Sequence, residues 1–406
     1  MSILVLYNPV CGSGSAKQFT ETHILPLLSQ HNIPIDLILA TEYPGHAGTL
    51  LSDYLKRSSA DLTIVLASGD GTLHEIVNSS ILQSTQNYTP NEHQVLLPPA
   101  KVSVVLVPAG TANALYSSLF PPVKGEDTGS VEYKLKSLRA FLDGKEGVPL
   151  TLAATTLYPP TGDSQAVSTR VVSGVVTSTC LHASILYDSE KLRKEYPGLE
   201  RFKVAAQRNG KRWYNATAKL LPSSLSGAVQ IYDPISQKFI DHPEWKKEKP
   251  IVELTGPFIY FLSTVNVDRL EPEFRVTPLA RTLPSSGATQ DIVIVRPLRD
   301  PSINKGDEVS REQYVDKIWQ VMKGAYADGS LIDLRYDEKG EVVSEGNGPL
   351  VVEYVRCGGW EWIPADNDER APLVCADGDI LTIPVGGKAI SVARTPSSDT
   401  GFAVYG

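Results

Sequence analysis

Along the first 145 residues, apolar positions gather in short, nearly continuous runs at 3–7, 33–39, 61–67 and 102–107. Runs of this length, partly β-branched and bounded by turn residues, read as buried strands. Each is followed by helical spacing: 16–30, a segment from Ala47, a segment opening at Leu73, and one from Ala114. In the third of these Leu73, Ile76 and Val77 share one face. A further helix is expected over 131–142. Strands alternating with helices imply a parallel sheet covered on both faces, an α/β domain.

The pattern changes near residue 148. Short alternating runs follow at 150–156, 166–176, 216–221, 227–232, 258–264, 291–295, 331–336, 350–356 and 380–384. Turn-rich segments separate them, and 156–165, 282–290 and 300–310 read as surface loops. This predicts a β-rich second domain, a sandwich. The domains are placed at 1–145 and 146–406, the last residues being free to return to the first.

The polar residues that interrupt the first domain carry its chemistry. Every predicted strand ends in a turn: Asn8-Pro9-Val10-Cys11-Gly12-Ser13-Gly14, Thr41-Glu42-Tyr43-Pro44-Gly45-His46, Ser68-Gly69-Asp70-Gly71-Thr72 and Pro108-Ala109-Gly110-Thr111-Ala112-Asn113. Open α/β sheets bind ligands at the carboxyl ends of their strands. A strand, a glycine turn and a helix N-terminus form an anion site, because backbone N–H groups point outward there. Neither GxxxxGK[ST] nor GxGxxG is present. Asp70 is the anomaly, since a carboxylate in an anion cradle repels its ligand unless it holds a metal or takes a proton. Taken alone, Gly69-Asp70-Gly71 is equally well an ordinary turn.

Composition narrows the function classes. The 406 residues have 42% hydrophobic content and a net charge of −8, so wholesale nucleic-acid binding is not expected. The scattered cysteines, Cys11, Cys180, Cys357 and Cys375, lack metal spacing and read as reduced thiols of a cytoplasmic protein. The apolar N-terminus reads as a first strand, not a signal peptide, and no apolar run approaches a membrane span. Membrane contact is therefore expected to be peripheral. One local basic segment, from Lys191 to Arg212, fits either a solvated helix face or a clamp for phosphates or anionic lipid. His46 and His74 read as helix-start and packing residues, the tryptophans as core or cleft wall, and 358–362 as a sheet-edge turn.

The four turns in this order, with Glu75 and Asn78 after the third, resemble the diacylglycerol kinase-type catalytic domain. They resemble most its sphingosine kinase branch, as do the Ser189-Glu190-Lys191-Leu192-Arg193-Lys194…Glu200-Arg201-Phe202 stretch and the late Asp377-Gly378-Asp379. The resemblance implies a nucleotide-binding domain followed by a β-sandwich, an active site in the cleft between them, and ATP-dependent phosphorylation of a lipid hydroxyl. The implied substrate is a sphingoid base; the alternatives are diacylglycerol or another lipid alcohol, a soluble acceptor as in NAD kinases and phosphofructokinases, or a non-catalytic lipid-binding protein. Asn8, Pro9 and Val10 would border the nucleotide, with Thr41 and Glu42 near the adenine. Ser68, Gly69 and Gly71 would line the phosphate and acceptor region, with Asp70 as base. Glu75, Gly110, Thr111 and Ala112 would complete the nucleotide site, and Arg193 and Arg201 would reach the phosphates. Asp377, Gly378 and Asp379 would close over nucleotide and Mg2+, with Asp377 on the metal. A peripheral membrane surface is the implied partner, and a homodimer is left open.

The chain departs from that pattern at several positions. Ser184 and Leu186 stand where acids would hold an amino-alcohol head group, leaving Asp188 nearby. Cys180 replaces a usual glycine, Asp379 a usual glutamate, and the first loop lacks its usual basic residues.

Overall fold

The structure is a computed structural model that describes residues 2–58, 60–84, 101–160, 167–196, 198–394 and 401–406, with backbone only at 80–84. Positions 161–165 of the loop expected at 156–165, and the start of the strand expected at 166–176, lie outside the described residues. The chain divides into two compact units: 1–152 with 269–272 and 394–406, and 153–268 with 273–393.

The first unit is built on a six-stranded sheet in the order Leu37–Ala40, Ser2–Tyr7, Leu62–Ser68, Lys101–Pro108, Gly401–Val404, Val148–Pro149. All neighbours are parallel except the last pair. Leu62–Ser68 is buried along its whole length, as a central parallel strand covered on both faces must be. Beneath the sheet Ile3, Val5, Val65, Val105 and Val107 pack against Ile24, Leu28, Leu135 and Leu138. The strand expected from residue 33 starts only at Leu37. Pro34 has no N–H to give, and Asp36 turns its carboxylate onto the Ile3 N–H at 2.6 Å. The helix expected over 16–30 is interrupted by a π-helical turn at Thr20–Ile24. The Leu25 N–H reaches back to the Thr20 carbonyl, and Pro26, which lacks the donor a regular turn would use, follows at once.

The second unit holds two antiparallel sheets, of eight and six strands. Their inner faces meet at Phe261, which packs against Trp360 and Trp362, and at hydrogen bonds from Trp360 Nε1 to Ser263 Oγ (3.0 Å) and from Gln290 Nε2 to Ser391 Oγ (3.1 Å). The segment read as an edge turn is thus a central strand, Gly359–Pro364, between Ala216–Leu221 and Lys388–Arg394. A Cβ on Gly359 would lie 2.2 Å from the Ser391 carbonyl oxygen, so the glycine serves close strand packing. The expected strand at 166–176 is two strands, Thr169–Ser173 and Val176–Thr179. The one at 331–336 is mostly a 3-10 turn, Ser330–Asp333. Helices Cys180–Leu192, Glu200–Asn209 and Glu308–Tyr326 add to the β framework. No helix among the described residues is long and apolar enough to cross a membrane.

Helix Cys180–Leu192 carries His182, whose Nδ1 lies 2.7 Å from Ser178 Oγ. Burial pushes the His182 pKa down to about 4. Between pH 6.5 and 4 the unfolded chain therefore takes a proton that the folded one refuses, and stability falls as pH falls. Part of the residue stays accessible, which trims the effect to about 1–2 kcal/mol. His182→Gln should lose less stability than the parent over that window in denaturant titrations, while the two behave alike above pH 7.

Candidate active site

The polar turns of the first unit do converge. Leu37–Ala40, Ser2–Tyr7, Leu62–Ser68 and Lys101–Pro108 are consecutive parallel neighbours, so their carboxyl ends form one rim. The turns touch directly there. Gly12, at φ +52, lies so close to the 109–113 turn that a Cβ would sit 2.2 Å from the Ala109 carbonyl oxygen. A Cβ on Gly110 would lie 2.5 Å from Gly69 Cα, and one on Gly69 would lie 2.8 Å from the Ala112 carbonyl oxygen. Cys11 Sγ donates to the same Ala109 carbonyl at 3.3 Å, and burial holds this thiol above its ordinary pKa. Ser68 Oγ lies 2.6 Å from Thr72 Oγ1, which Asn8 Nδ2 approaches at 3.5 Å. Val10, Gly71, Thr111 and Ala112 remain exposed along the rim.

Asp70 does not stand free above this rim. It is the first residue of helix Asp70–Ser84, three residues before the expected opening at Leu73. Its Oδ2 accepts from the Ala114 N–H at 2.6 Å and its Oδ1 from the Leu115 N–H at 3.3 Å. The carboxylate therefore caps helix Ala114–Leu119, satisfying donors that a helix start leaves open. Glu75 does likewise, its Oε2 accepting from the Ala47 N–H at 3.2 Å in the first turn of helix His46–Leu55. Thr41 is buried and its N–H donates to the Tyr7 carbonyl, while Glu42 is exposed. The puzzle of an acid among phosphate-type turns thus has a structural answer: both acids ground the helix starts around the rim.

The second unit's residues have their own settings. Arg193 ends helix Cys180–Leu192 and is held by Glu190 at 2.7 and 3.0 Å, both side chains more than half exposed. Arg201 lies over the Phe202 ring at 4.6 Å, with Glu190 at 3.9 Å and a buried Nε that has no hydrogen-bond partner. Its pKa is held down by burial and by neighbouring Arg193. The basic segment is further neutralised where Lys211 pairs with Glu312 at 2.6 Å.

Ser184 is fully buried beside Tyr214, and neither hydroxyl completes a well-formed hydrogen bond. One helical turn on, Asp188 accepts from Asn209 Nδ2 (2.7 Å) and Arg370 Nη2 (3.0 Å). Cys180 takes φ +59, a left-handed conformation that glycine adopts at the least cost.

Asp377 and Gly378, at φ +49 and +105, make the two-residue turn of the hairpin in which Ala376 faces Asp379. The Asp377 carboxylate accepts from the N–H groups of Gly174 (2.7 Å), Val175 (3.0 Å) and Val176 (2.8 Å). The geometry gives Asp377 a backbone-clamping part. Among the described residues no three His, Cys, Asp or Glu side chains are grouped to hold a metal. Asp379 is exposed.

Comparison with known proteins places the rim in context. Residues 2–139 match the diacylglycerol kinase catalytic domain family. The matched segment contains all four turns. Human sphingosine kinase 1 is 37% identical over 118 residues, covering 29% of this chain and 27% of that protein. Human sphingosine kinase 2 is 32% identical over 160 residues, covering 38% of this chain and 22% of that protein. Mouse ceramide kinase is 29% identical over 120 residues, covering 29% of this chain and 22% of its own length. The chain thus aligns with about a quarter of each of these relatives.

The rim's geometry is testable through its glycines. Gly69→Ala and Gly110→Ala force a Cβ into the facing backbone and should lower the melting temperature by several degrees, as about 1–3 kcal/mol of overpacking does. Gly71→Ala meets open space and should melt with the parent. Equal melting of all three by calorimetry would show that the turns are not in contact.

Proposed function

We propose that the chain is an ATP-dependent lipid kinase, the phosphates lying on the rim formed by the 8–14, 68–72 and 109–113 turns. The observation that carries this reading is the packing of Gly12, Gly69 and Gly110 against one another's turns, inside the segment that matches a kinase catalytic domain. Phosphoryl transfer asks mainly for positioning and charge neutralisation. The lipid hydroxyl oxygen attacks the γ-phosphorus, the bond to the ADP oxygen breaks, and the hydroxyl proton leaves to a base. In this reading Asp70 takes that proton, and Arg193 and Arg201 supply positive charge. Mg2+ belongs to the reading as the counter-ion of ATP, held by phosphates, water and at most one or two carboxylates; Asp377 is not assigned to it.

The names of the relatives support a sphingolipid hydroxyl, with a sphingoid base as the substrate. A second reading, a lipid with an uncharged head group, is favoured by one observation: Asp188 is already paired with Arg370 and has little charge left for an ammonium group. Contact with a membrane surface would be peripheral in either case.

Asp70→Asn should lower turnover by roughly 10²–10⁴-fold, the usual worth of a positioned base. It should also lower stability by about 1 kcal/mol, because an amide cannot accept from both Ala114 and Leu115. Activity that falls only in proportion to the unfolded fraction would leave Asp70 as a cap alone. The substrate is decided with radiolabelled ATP and micelles of sphingosine, ceramide, monoacylglycerol or diacylglycerol. If Arg370 masks Asp188, the parent prefers an uncharged head group and Arg370→Gln moves the preference toward sphingosine. Strong sphingosine turnover by the parent, unchanged in Arg370→Gln, removes the second reading. No labelled product from any lipid removes the first as well.

A further inference from the structure

Arg296 and Arg299 stand at the two ends of one 3-10 turn, Pro297–Arg299, in which the Arg299 N–H donates to the Arg296 carbonyl at 3.1 Å. A three-residue period puts both side chains on the same side. There they meet a single acid, Glu353, the first residue of strand Glu353–Cys357, with a side chain 2% exposed. Glu353 Oε2 accepts from Arg296 Nε at 2.8 Å, and its Oε1 accepts from Arg296 Nη2 at 2.8 Å and from Arg299 Nη1 at 3.2 Å. One carboxylate thus serves two guanidiniums, and the fork of Arg296 takes both oxygens. Arg299 is left short of acceptors: its buried Nε has no hydrogen-bond partner among the described residues. A third of the Arg299 side chain, 33%, still reaches the surface.

The neighbouring acids do not complete the set. Asp300, next along the chain, accepts from the N–H and Oγ of Ser302 at 2.9 and 2.6 Å and is paired with Lys317. Glu244, whose charge also reaches Arg296, is exposed and screened by water. His242 is buried and lies within reach of the charges of Glu353, Arg296 and Arg299. Its Nδ1 accepts from the Glu244 N–H at 3.2 Å, which leaves the ring proton on Nε2. Burial holds its pKa below the ordinary value, so it brings a donor and no charge. The balance is two guanidiniums against one buried carboxylate, with a buried donor that lacks an acceptor. Such a donor is costly to leave unpaired, and guanidiniums answer best to oxyanions. From this arrangement we infer that Arg296, Arg299 and His242 form a binding site for a phosphate-type oxyanion. Free orthophosphate and the head group of a phosphorylated lipid share that chemistry. The site belongs to the second unit alone and does not rest on the kinase reading.

Calorimetric titration of the full chain with orthophosphate, and separately with a short-chain, water-soluble phosphatidate, tests the site. Both substitutions used lie in the second unit, so phosphate held by the rim of the first is the same in every protein compared. Arg299→Gln should weaken binding roughly 10- to 100-fold, as loss of a charge-assisted hydrogen bond does. Glu244→Gln changes only an exposed side chain and should tighten binding about 2- to 5-fold, the worth of an exposed charge pair. These shifts with orthophosphate alone make the ligand the free ion, and with phosphatidate alone the lipid head group; either result upholds the inference. A parent that binds neither ligand, or binding that neither substitution moves, overturns it. If Arg299→Gln does not fold, Glu244→Gln decides: tighter binding upholds the site and unchanged binding overturns it.

Discussion

The contact on which the first unit depends is the one Asp70 makes. A single carboxylate at the start of one helix receives the first N–H groups of another, and so joins the turn after Leu62–Ser68 to the turn after Lys101–Pro108. Gly69 and Gly110 then approach so closely that neither has room for a side chain. Each device needs the other. Without the glycines the helix starts would stand too far apart for Asp70 to cap, and without the cap two uncompensated N–H groups would face the same small volume. An acid beside an anion-type rim is therefore tolerated because its charge is spent on backbone donors.

The second unit uses the same economy of carboxylates. Asp377 organises three successive backbone N–H groups, and Asp188 joins two helices to Arg370 through Asn209. Acids that the sequence displays as chemical candidates are, in the folded chain, also the groups that terminate and connect elements. A role in phosphoryl transfer has to be compatible with those duties, which limits how far any of these side chains can move.

Much of the first unit was legible because its signals are local. Continuous apolar runs bounded by glycine turns marked the central strands, and their order along the chain already implied a common rim. The partners of Asp70 were not legible, since Ala114 and Leu115 are 44 and 45 residues away and offer only backbone N–H groups, which every sequence has. The Leu37–Ala40 strand was drawn too long because Ile33 and Ile35 alternate like strand residues while Pro34 withholds a donor. In the second unit the helix Glu308–Tyr326 did leave a signal: Asp307 caps it through the Ser310 N–H, and Tyr314, Ile318, Val321 and Ala325 recur at helical spacing on its buried side. That signal was outweighed by the turn-rich segment in front of it. Gly358-Gly359 misled in the opposite direction, reading as a turn where glycine instead admits a neighbouring strand.

The strand Gly401–Val404 lies between Lys101–Pro108 and Val148–Pro149 in the first sheet. A ribosome delivers residues 1–152 long before it delivers this strand, so through most of synthesis the edge of Lys101–Pro108 has no partner on that side. The buried apolar side chains of that strand and a row of open hydrogen-bonding groups are then available to any other extended chain. The first unit can be completed only when the whole intervening unit has been made, which ties its folding to the longest loop closure the chain contains. A fragment cut at residue 152 is for the same reason a sheet missing an interior strand, whose exposed edge invites association in place of folding.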